Sequence, residues 1–107
     1  MSTEPKVTAM LDLVAYQDNA VVSKTIMEQE NGNVSLFAFD AGQGLSEHIA
    51  PYDALVDILE GEVEIMISGK AYILNSGEMV ILPVNEPHSL KAITKFKMTL
   101  TMLRAHA

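Results

Sequence analysis

The chain contains no cysteine among its 107 residues, which excludes disulfide bridges, thiolate metal sites and cysteine nucleophiles. Basic residues are also few, because seven Lys and Arg stand against 14 Asp and Glu and give a net charge of -7. This balance repels phosphate backbones and anionic lipid surfaces. We therefore expect no nucleic-acid partner and no membrane partner.

Long apolar runs are missing as well. No stretch of the sequence approaches the roughly 18 residues that a membrane-spanning helix needs. The N-terminal residues, MSTEPKVTAML, lack the basic region, apolar segment and small-residue cleavage site that make up an export signal. These absences predict a cytoplasmic protein.

Apolar residues nevertheless make up 49% of the chain. A chain of this length buries roughly two-thirds of the surface that its unfolded form exposes. No low-complexity segment and no linker divides the sequence. We therefore predict a single domain over residues 1–107 with one packed core.

Turn signals recur every eight to ten residues in the middle of the chain. Short apolar segments end there at Glu60-Gly61, at Ser68-Gly69 and at Asn75-Ser76-Gly77. This spacing is typical of an all-β sandwich or barrel and not of helices that alternate with strands. The sequence therefore predicts an all-β fold.

The N-terminal third is predicted to hold two strands within residues 20–39. The Asn31-Gly32 pair lies between them, and both residues tolerate positive φ, so we predict a hairpin with its tight turn there. Residues 10–14 fit either a short strand or one helical turn. Near the C-terminus, apolar residues alternate strictly with Lys97, Thr99 and Thr101, which predicts a strand with one buried and one solvated face.

Two stretches run from a glycine to a histidine. The first is Gly42 to Gly61, GQGLSEHIAPYDALVDILEG, and the second is Gly77 to His88, GEMVILPVNEPH. Their histidines, His48 and His88, reach one shared site only if the strands that carry them are neighbours.

The two stretches resemble the paired motifs of a small single-domain cupin. That family folds as a double-stranded antiparallel β-helix, a jelly-roll β-barrel. The first motif, at about 42–61, matches in Gly42, in His48 after five intervening residues and in the closing Gly61. The second, at about 77–92, matches in Gly77, in Pro83 and in His88. The resemblance implies that the two histidines share a site in the mouth of the barrel.

The sequence also departs from the cupin pattern. Counted back from Gly61, the family's second histidine and its glutamate correspond to Ala50 and Ala54, so two of the four usual metal ligands are absent. The family's second-motif glycine corresponds to Asn85, which also tolerates positive φ, so the turn is expected to survive. The family's final asparagine corresponds to Ala92.

His48 and His88 are therefore the candidate metal ligands and the candidate catalytic residues. Asp53 is a further candidate ligand, since its loop lies near His48 in the sequence. Two imidazoles bind a divalent ion weakly, and nitrogen donors suit transition metals such as zinc, nickel, iron or manganese better than magnesium or calcium. Without a metal, a histidine that titrates near neutrality is suited to general acid or base catalysis.

If the barrel closes as the resemblance implies, strand alternation predicts an apolar pocket around the histidines. The residues predicted to line it are Ala50, Ala54, Val56, Ile58, Met98 and Leu100, with Val63, Ile65 and Leu90 also pointing inward. A homodimer is predicted through the β-branched strand at residues 21–27, placed at a sheet edge.

The predicted function is binding of a small, partly apolar molecule in this pocket, with a divalent transition metal held weakly or not at all. The alternative is a metal-dependent oxygenase or isomerase in which Asp53, Tyr52 or water completes the ligand set. The fold alone does not choose between them.

Overall fold

The computed structural model describes residues 4–104, which form two antiparallel β-sheets. A 3-10 turn at Met10–Asp12 is followed by nine strands. They are β1 (Val21–Gln29), β2 (Gly32–Phe39), β3 (Gly44–His48), β4 (Asp53–Glu60), β5 (Glu62–Ile67), β6 (Lys70–Asn75), β7 (Met79–Leu82), β8 (His88–Ala92) and β9 (Phe96–Leu103).

The sheets are built largely from strands that are distant in the sequence. One has the order β1-β2-β9-β4-β7 and the other the order β3-β8-β5-β6. This is the double-stranded, jelly-roll arrangement that the sequence predicts, and the all-β prediction is confirmed. β1 lies at a sheet edge, as expected. No helix within residues 4–104 is long and apolar enough to cross a membrane.

The N-terminal hairpin forms, but its turn differs from the prediction. Gln29 pairs with Gly32, so the two-residue loop is Glu30-Asn31, and neither Asn31 nor Gly32 has a positive φ. A Cβ atom at Gly32 would lie 2.6 Å from the backbone oxygen of Met102. Gly32 is therefore required by the close approach of β9 and not by the turn.

The main core lies between the two sheets and is filled by inward-pointing strand residues. Phe39 and Phe96 are completely buried in it, and their rings stack with centroids 4.4 Å apart. Burial of each such side chain contributes about 1.5–3 kcal/mol. The other strand residues predicted to point inward are also packed there, fully buried or partly so: Val56, Ile58, Val63, Ile65, Leu90, Met98 and Leu100.

A second, smaller cluster covers the outer face of the five-stranded sheet. Val14 packs against Leu36 and Ala38 there, with Tyr16 at its border. The helical turn at Met10–Asp12 leads into this segment. Of the two alternatives for residues 10–14, a short strand or one helical turn, the structure has the helical turn. The N-terminal segment thus acts as a cover for the outside of the sheet.

This cover makes the predicted solvated face of β9 wrong for two of its residues. Lys97 is 8% exposed and Thr99 is 7% exposed. The Lys97 ammonium donates a hydrogen bond of 2.6 Å to the carbonyl oxygen of Leu11 and lies 4.9 Å from the ring centroid of Tyr16. The Tyr16 hydroxyl donates to the Glu60 carboxylate at 2.5 Å. Alternation predicted the direction of these side chains correctly, but not what lies over them.

The close contact at Gly61 gives a first prediction. Gly61 and Gly77 have almost the same φ, 87° and 86°, but a Cβ atom at Gly61 would overlap the Lys95 backbone oxygen and lie 2.6 Å from the Cβ of Phe96, whereas Gly77 faces open space. Gly77→Ala should cost about 1–2 kcal/mol for its left-handed backbone alone. Gly61→Ala should cost about 2–5 kcal/mol, because the overlap adds to that term. Urea unfolding of both variants measures the difference, and equal losses would contradict the packing described at this turn.

Candidate functional site

The two histidines lie opposite each other on neighbouring strands. β3 pairs antiparallel with β8, and His48 at the end of β3 is the direct partner of His88 at the start of β8. Their Nε2 atoms are 3.0 Å apart, and their ring centroids are separated by 4.2 Å in an edge-to-face arrangement. The condition for a shared site, that the strands be neighbours, is met.

A bulge in β3 brings His48 to this position. Leu45 pairs with Leu90 and His48 pairs with His88, so three steps along β3 match two steps along β8. In a regular strand, Leu45 and His48 would point to opposite faces, and Glu47 would lie opposite His88. The extra residue returns His48 to the face of Leu45, and both residues line the same cavity.

Backbone carbonyl groups hold both imidazoles in one tautomer. His48 Nδ1 lies 2.8 Å from the Ser46 oxygen, and His88 Nδ1 lies 3.2 Å from the Glu86 oxygen. A carbonyl oxygen only accepts, so each Nδ1 carries the hydrogen and donates it. In the neutral rings both Nε2 atoms are then acceptors that face each other. Their contact becomes attractive when one proton lies between them. A donor group of a ligand would instead approach the Nε2 atoms from the side of the cavity.

His88 is the more enclosed of the two rings, with 6% of its surface exposed, whereas His48 is exposed. Burial lowers the pKa of His88 below the ordinary value of 6.5, and the nearby His48 acts in the same direction. The hydrogen bond to the Glu86 carbonyl opposes this shift only in part. His88 is therefore a neutral imidazole at pH 7.

The loops that flank the histidines are tied to each other. The Asn85 N–H donates to the Ala50 carbonyl at 2.9 Å, and Asn85 has the positive φ, 62°, that the sequence predicts for this turn. The Asp53 carboxylate accepts a hydrogen bond of 3.1 Å from the Val84 N–H. Asp53 is exposed and does not line the cavity of the histidines. The structure thus uses Asp53 to fasten the loop before His88 and does not bring it to the imidazoles.

The cavity in front of the histidines is small, with a volume of about 40 Å³. Around the two imidazoles it is lined by apolar side chains and one phenol: Leu45, Ala50, Tyr52, Ala54, Leu82, Leu90, Met98, Leu100 and Met102. Four predicted lining residues, Ala50, Ala54, Met98 and Leu100, are among them. Val56 and Ile58 are not, because they point inward deeper along β4 and are sealed in the core at 0% and 1% exposure.

Sequence reasoning missed Leu45, Leu82 and Met102 as lining residues. Met102 continues the alternation of Met98 and Leu100 on β9 and was detectable from that pattern. Leu82 is the last residue of β7, directly before Pro83, and the sequence pattern did not show which face it presents to the site. Leu45 and His48 would point to opposite faces in a regular strand, so only the bulge places Leu45 on the same side as the histidine.

The donor set does not fit a tightly held metal ion. The two Nε2 atoms converge, and their Nδ1 atoms are held by carbonyl oxygens in the way that orients metal-binding histidines. The other two positions of the cupin ligand set are methyl groups, Ala50 and Ala54, and both line the same cavity. Within residues 4–104, no group of three or more His, Asp, Glu or Cys side chains is arranged to hold a metal ion. Metal sites generally use three or four protein ligands.

Residues 35–103 match the sequence family described as "Cupin domain". A conserved protein of unknown function from Streptococcus pyogenes is 30% identical, with 97% of this chain and 91% of that one covered and a TM-score of 0.92. A cupin 2 conserved barrel domain protein from Leptotrichia buccalis is 36% identical, with 88% of this chain and 46% of that one covered and a TM-score of 0.85.

A more distant likeness concerns the fold alone. A salicylate 1,2-dioxygenase from Pseudoaminobacter salicylatoxidans has a TM-score of 0.72 at 17% identity, over 77% of this chain and 24% of that one. No curated protein sequence shows a significant match to the chain.

The missing ligands give a second prediction. Ala50 and Ala54 line the same cavity as both histidines, so Ala50→His with Ala54→Glu should bring three imidazoles and one carboxylate together. Zinc or nickel affinity should then rise by about three powers of ten, because the fold holds each added donor in place. Calorimetric titration of the wild type and the double variant measures this gain.

The matched control places the same two side chains elsewhere. Ala41 and Ala71 are both exposed, and Ala41→His with Ala71→Glu should leave metal affinity as it is in the wild type. Thermal unfolding of the metal-free proteins shows whether the small cavity accepts the added side chains. A folded Ala50→His, Ala54→Glu protein with unchanged metal affinity would contradict the assignment of positions 50 and 54 to the missing ligands of the family pattern.

Proposed function

The chain belongs to the cupin family, and from that membership we propose that it binds a small, partly apolar molecule at the His48–His88 pair. One observation carries this proposal. In a cavity otherwise lined by apolar side chains and the Tyr52 phenol, two imidazole Nε2 atoms converge at 3.0 Å. Apolar sites with a few well-placed polar groups are typical of small-molecule recognition, since the apolar lining supplies affinity and the polar groups fix orientation.

The hydrogen-bonding state of the pair indicates what the ligand presents. Both Nδ1 hydrogens are engaged by carbonyl oxygens, so each ring, when it is neutral, offers only an acceptor to the cavity. A hydroxyl or N–H group of a ligand satisfies these acceptors, whereas an ether or a ketone does not. We therefore expect a ligand with a donor group at one end and an apolar body.

The alternative function is a metal-dependent oxygenase or isomerase. Tyr52 lines the cavity together with both histidines, so its phenol is available as an additional ligand. Asp53 does not line the cavity and is not available in this way. Two imidazoles alone would hold zinc, nickel, iron or manganese weakly, and catalysis stays a prediction. The metal content of protein purified without an affinity tag separates this alternative from a binding module.

A pair of isomeric probes tests the binding proposal. Butan-1-ol can donate a hydrogen bond to the Nε2 atoms, whereas diethyl ether, with the same atoms, can only accept one. Butan-1-ol should shift the Nε2 nitrogen resonances of His48 and His88, and diethyl ether should leave them almost unchanged. The shift should be lost in His88→Leu. Equal responses to the two probes would count against a donor-selective site at these histidines.

A homodimer through β1 is the second part of the proposal. β1 is a nine-residue strand at the edge of the five-stranded sheet, and most of it is exposed. An edge strand presents unpaired N–H and C=O groups that invite pairing with another chain. The bulge between Thr25 and Met27 interrupts the pairing of β1 with β2. Regular pairing with a second copy is therefore expected before the bulge, and the exposed Ile26 side chain is expected to pack against that copy at the end of the paired segment. A cytoplasmic location likewise stays a prediction.

The dimer has its own test. Ile26 on β1 is 40% exposed and Ile73 on β6, an edge strand of the other sheet, is 49% exposed. Ile26→Lys should weaken dimerisation at least about tenfold, because a buried unpaired charge opposes the contact. Ile73→Lys should leave it unchanged. Light scattering at micromolar concentration measures both, and a monomeric wild type would end this part of the proposal.

A further inference from the structure

The histidine cavity is too small to hold an organic ligand by itself. Its volume is only about 40 Å³. Sites for small organic molecules usually measure about 300–1,000 Å³. If a ligand contacts the histidines, most of it must therefore lie in an adjoining space.

A depression of about 510 Å³ adjoins the cavity. It lies between the β1–β2 hairpin and the end of β9, and Tyr52 and Met102 line both spaces. The strand register shows how they connect, because Asn33 pairs with Met102 and Met102 pairs with Ala54. Directly paired residues point to the same side of a sheet. One row of side chains thus leads from the depression, at Asn33, into the cavity, at Ala54.

The depression is polar where the cavity is apolar. Arg104 lines it and places its guanidinium carbon 5.7 Å from the ring centroid of Tyr52. The guanidinium is a planar fork of N–H donors that suits a carboxylate. The side-chain oxygen of Asn33 is buried and accepts no hydrogen bond. A buried acceptor without a donor is costly to the fold. Because the Asn33 side chain lines the depression, turning its oxygen toward a donor group of a ligand gains free energy.

The carboxylates of Glu28 and Glu30 also line the depression. Glu28 pairs with Asn33 across the hairpin, so a negative charge is carried next to the unpaired oxygen. This charge favours an ammonium group over a neutral hydroxyl as the donor. The lining thus combines a guanidinium that can bind an anion with carboxylates and an amide oxygen that can bind a cation.

We propose that this depression binds the head group of an α-amino carboxylate, with the carboxylate at Arg104 and the ammonium at Asn33 and Glu28. The apolar part of the molecule lies along Met102 and Tyr52, toward the histidine cavity. This inference deepens the proposed function and rests on it for the far end of the ligand, but the head-group site is defined by other residues and can be tested separately.

L-norleucine, hexanoate and pentan-1-amine are the probes. Hexanoate lacks the ammonium group of norleucine, and pentan-1-amine lacks its carboxylate. The full chain, labelled with nitrogen-15, is titrated to about 10 mM of each, well above a millimolar Kd. Norleucine should shift the amide signals of Asn33, Tyr52 and Arg104. Hexanoate and pentan-1-amine should bind about tenfold or more weakly, since each loses one charge-assisted hydrogen-bonding group. No shift with norleucine, or equal binding of hexanoate, would overturn the proposal.

Two variants and a control complete the test. Arg104→Gln should weaken norleucine binding about tenfold, whereas Lys91→Gln, which removes an exposed charge on β8, should not change it. Asn33→Leu should weaken binding without lowering Tm, because it removes an unpaired buried oxygen. Binding that survives both Arg104→Gln and Asn33→Leu would refute the head-group site.

The histidine signals are followed in the same titrations. A response at Asn33 and Arg104 with silent His48 and His88 supports the head-group site and counts against the proposed function for this class of ligand. A response at the histidines that is insensitive to Arg104→Gln supports the proposed function and overturns the head-group site.

Discussion

The candidate site depends on one backbone irregularity, the extra residue in β3. Because β3 takes three steps where β8 takes two, His48 and not Glu47 lies opposite His88. Side chains alternate along a strand, so without that residue the site would pair a carboxylate with an imidazole, and His48 would face away from Leu45. The hydrogen bonds from each Nδ1 to the carbonyls of Ser46 and Glu86 then orient the rings so that both Nε2 atoms meet.

The same frame holds two methyl groups at Ala50 and Ala54, where the family pattern has ligands. Both alanines line the cavity of the two imidazoles, so the positions that carry ligands in the family pattern lie at the site but supply no donor. Apolar side chains fill most of the barrel behind them, which leaves a cavity of about 40 Å³. These features fit the proposed binding of a donor group better than tight metal binding, and the body of the proposed ligand would lie toward Tyr52 and Met102, which line both the cavity and the adjoining depression.

The outer face of the five-stranded sheet is covered by the N-terminal segment, whereas its inner face packs in the core between the two sheets. The N-terminal segment lies over Leu36 and Ala38 and encloses the ammonium of Lys97, which is stabilised by the Leu11 carbonyl and the Tyr16 ring. A lysine in an alternating strand normally indicates a solvated face. Here the cover is provided by residues more than 80 positions earlier in the chain, since the bonded pair is 86 apart.

The sequence by itself determined the all-β fold, and its resemblance to cupins predicted the shared histidine site, the inward Ala50 and Ala54 and the positive φ of Asn85. These features follow from turn residues, strand alternation and the spacing of the two motifs, which are local and can be counted along the chain. The tertiary structure alone decided the bulge in β3, the burial of Lys97, the use of Gly32 for the approach of β9 and the sealing of Val56 and Ile58 away from the cavity. Each of these depends on contacts between segments that are distant in the sequence, and the pattern of residues within one segment carries no record of what packs against it.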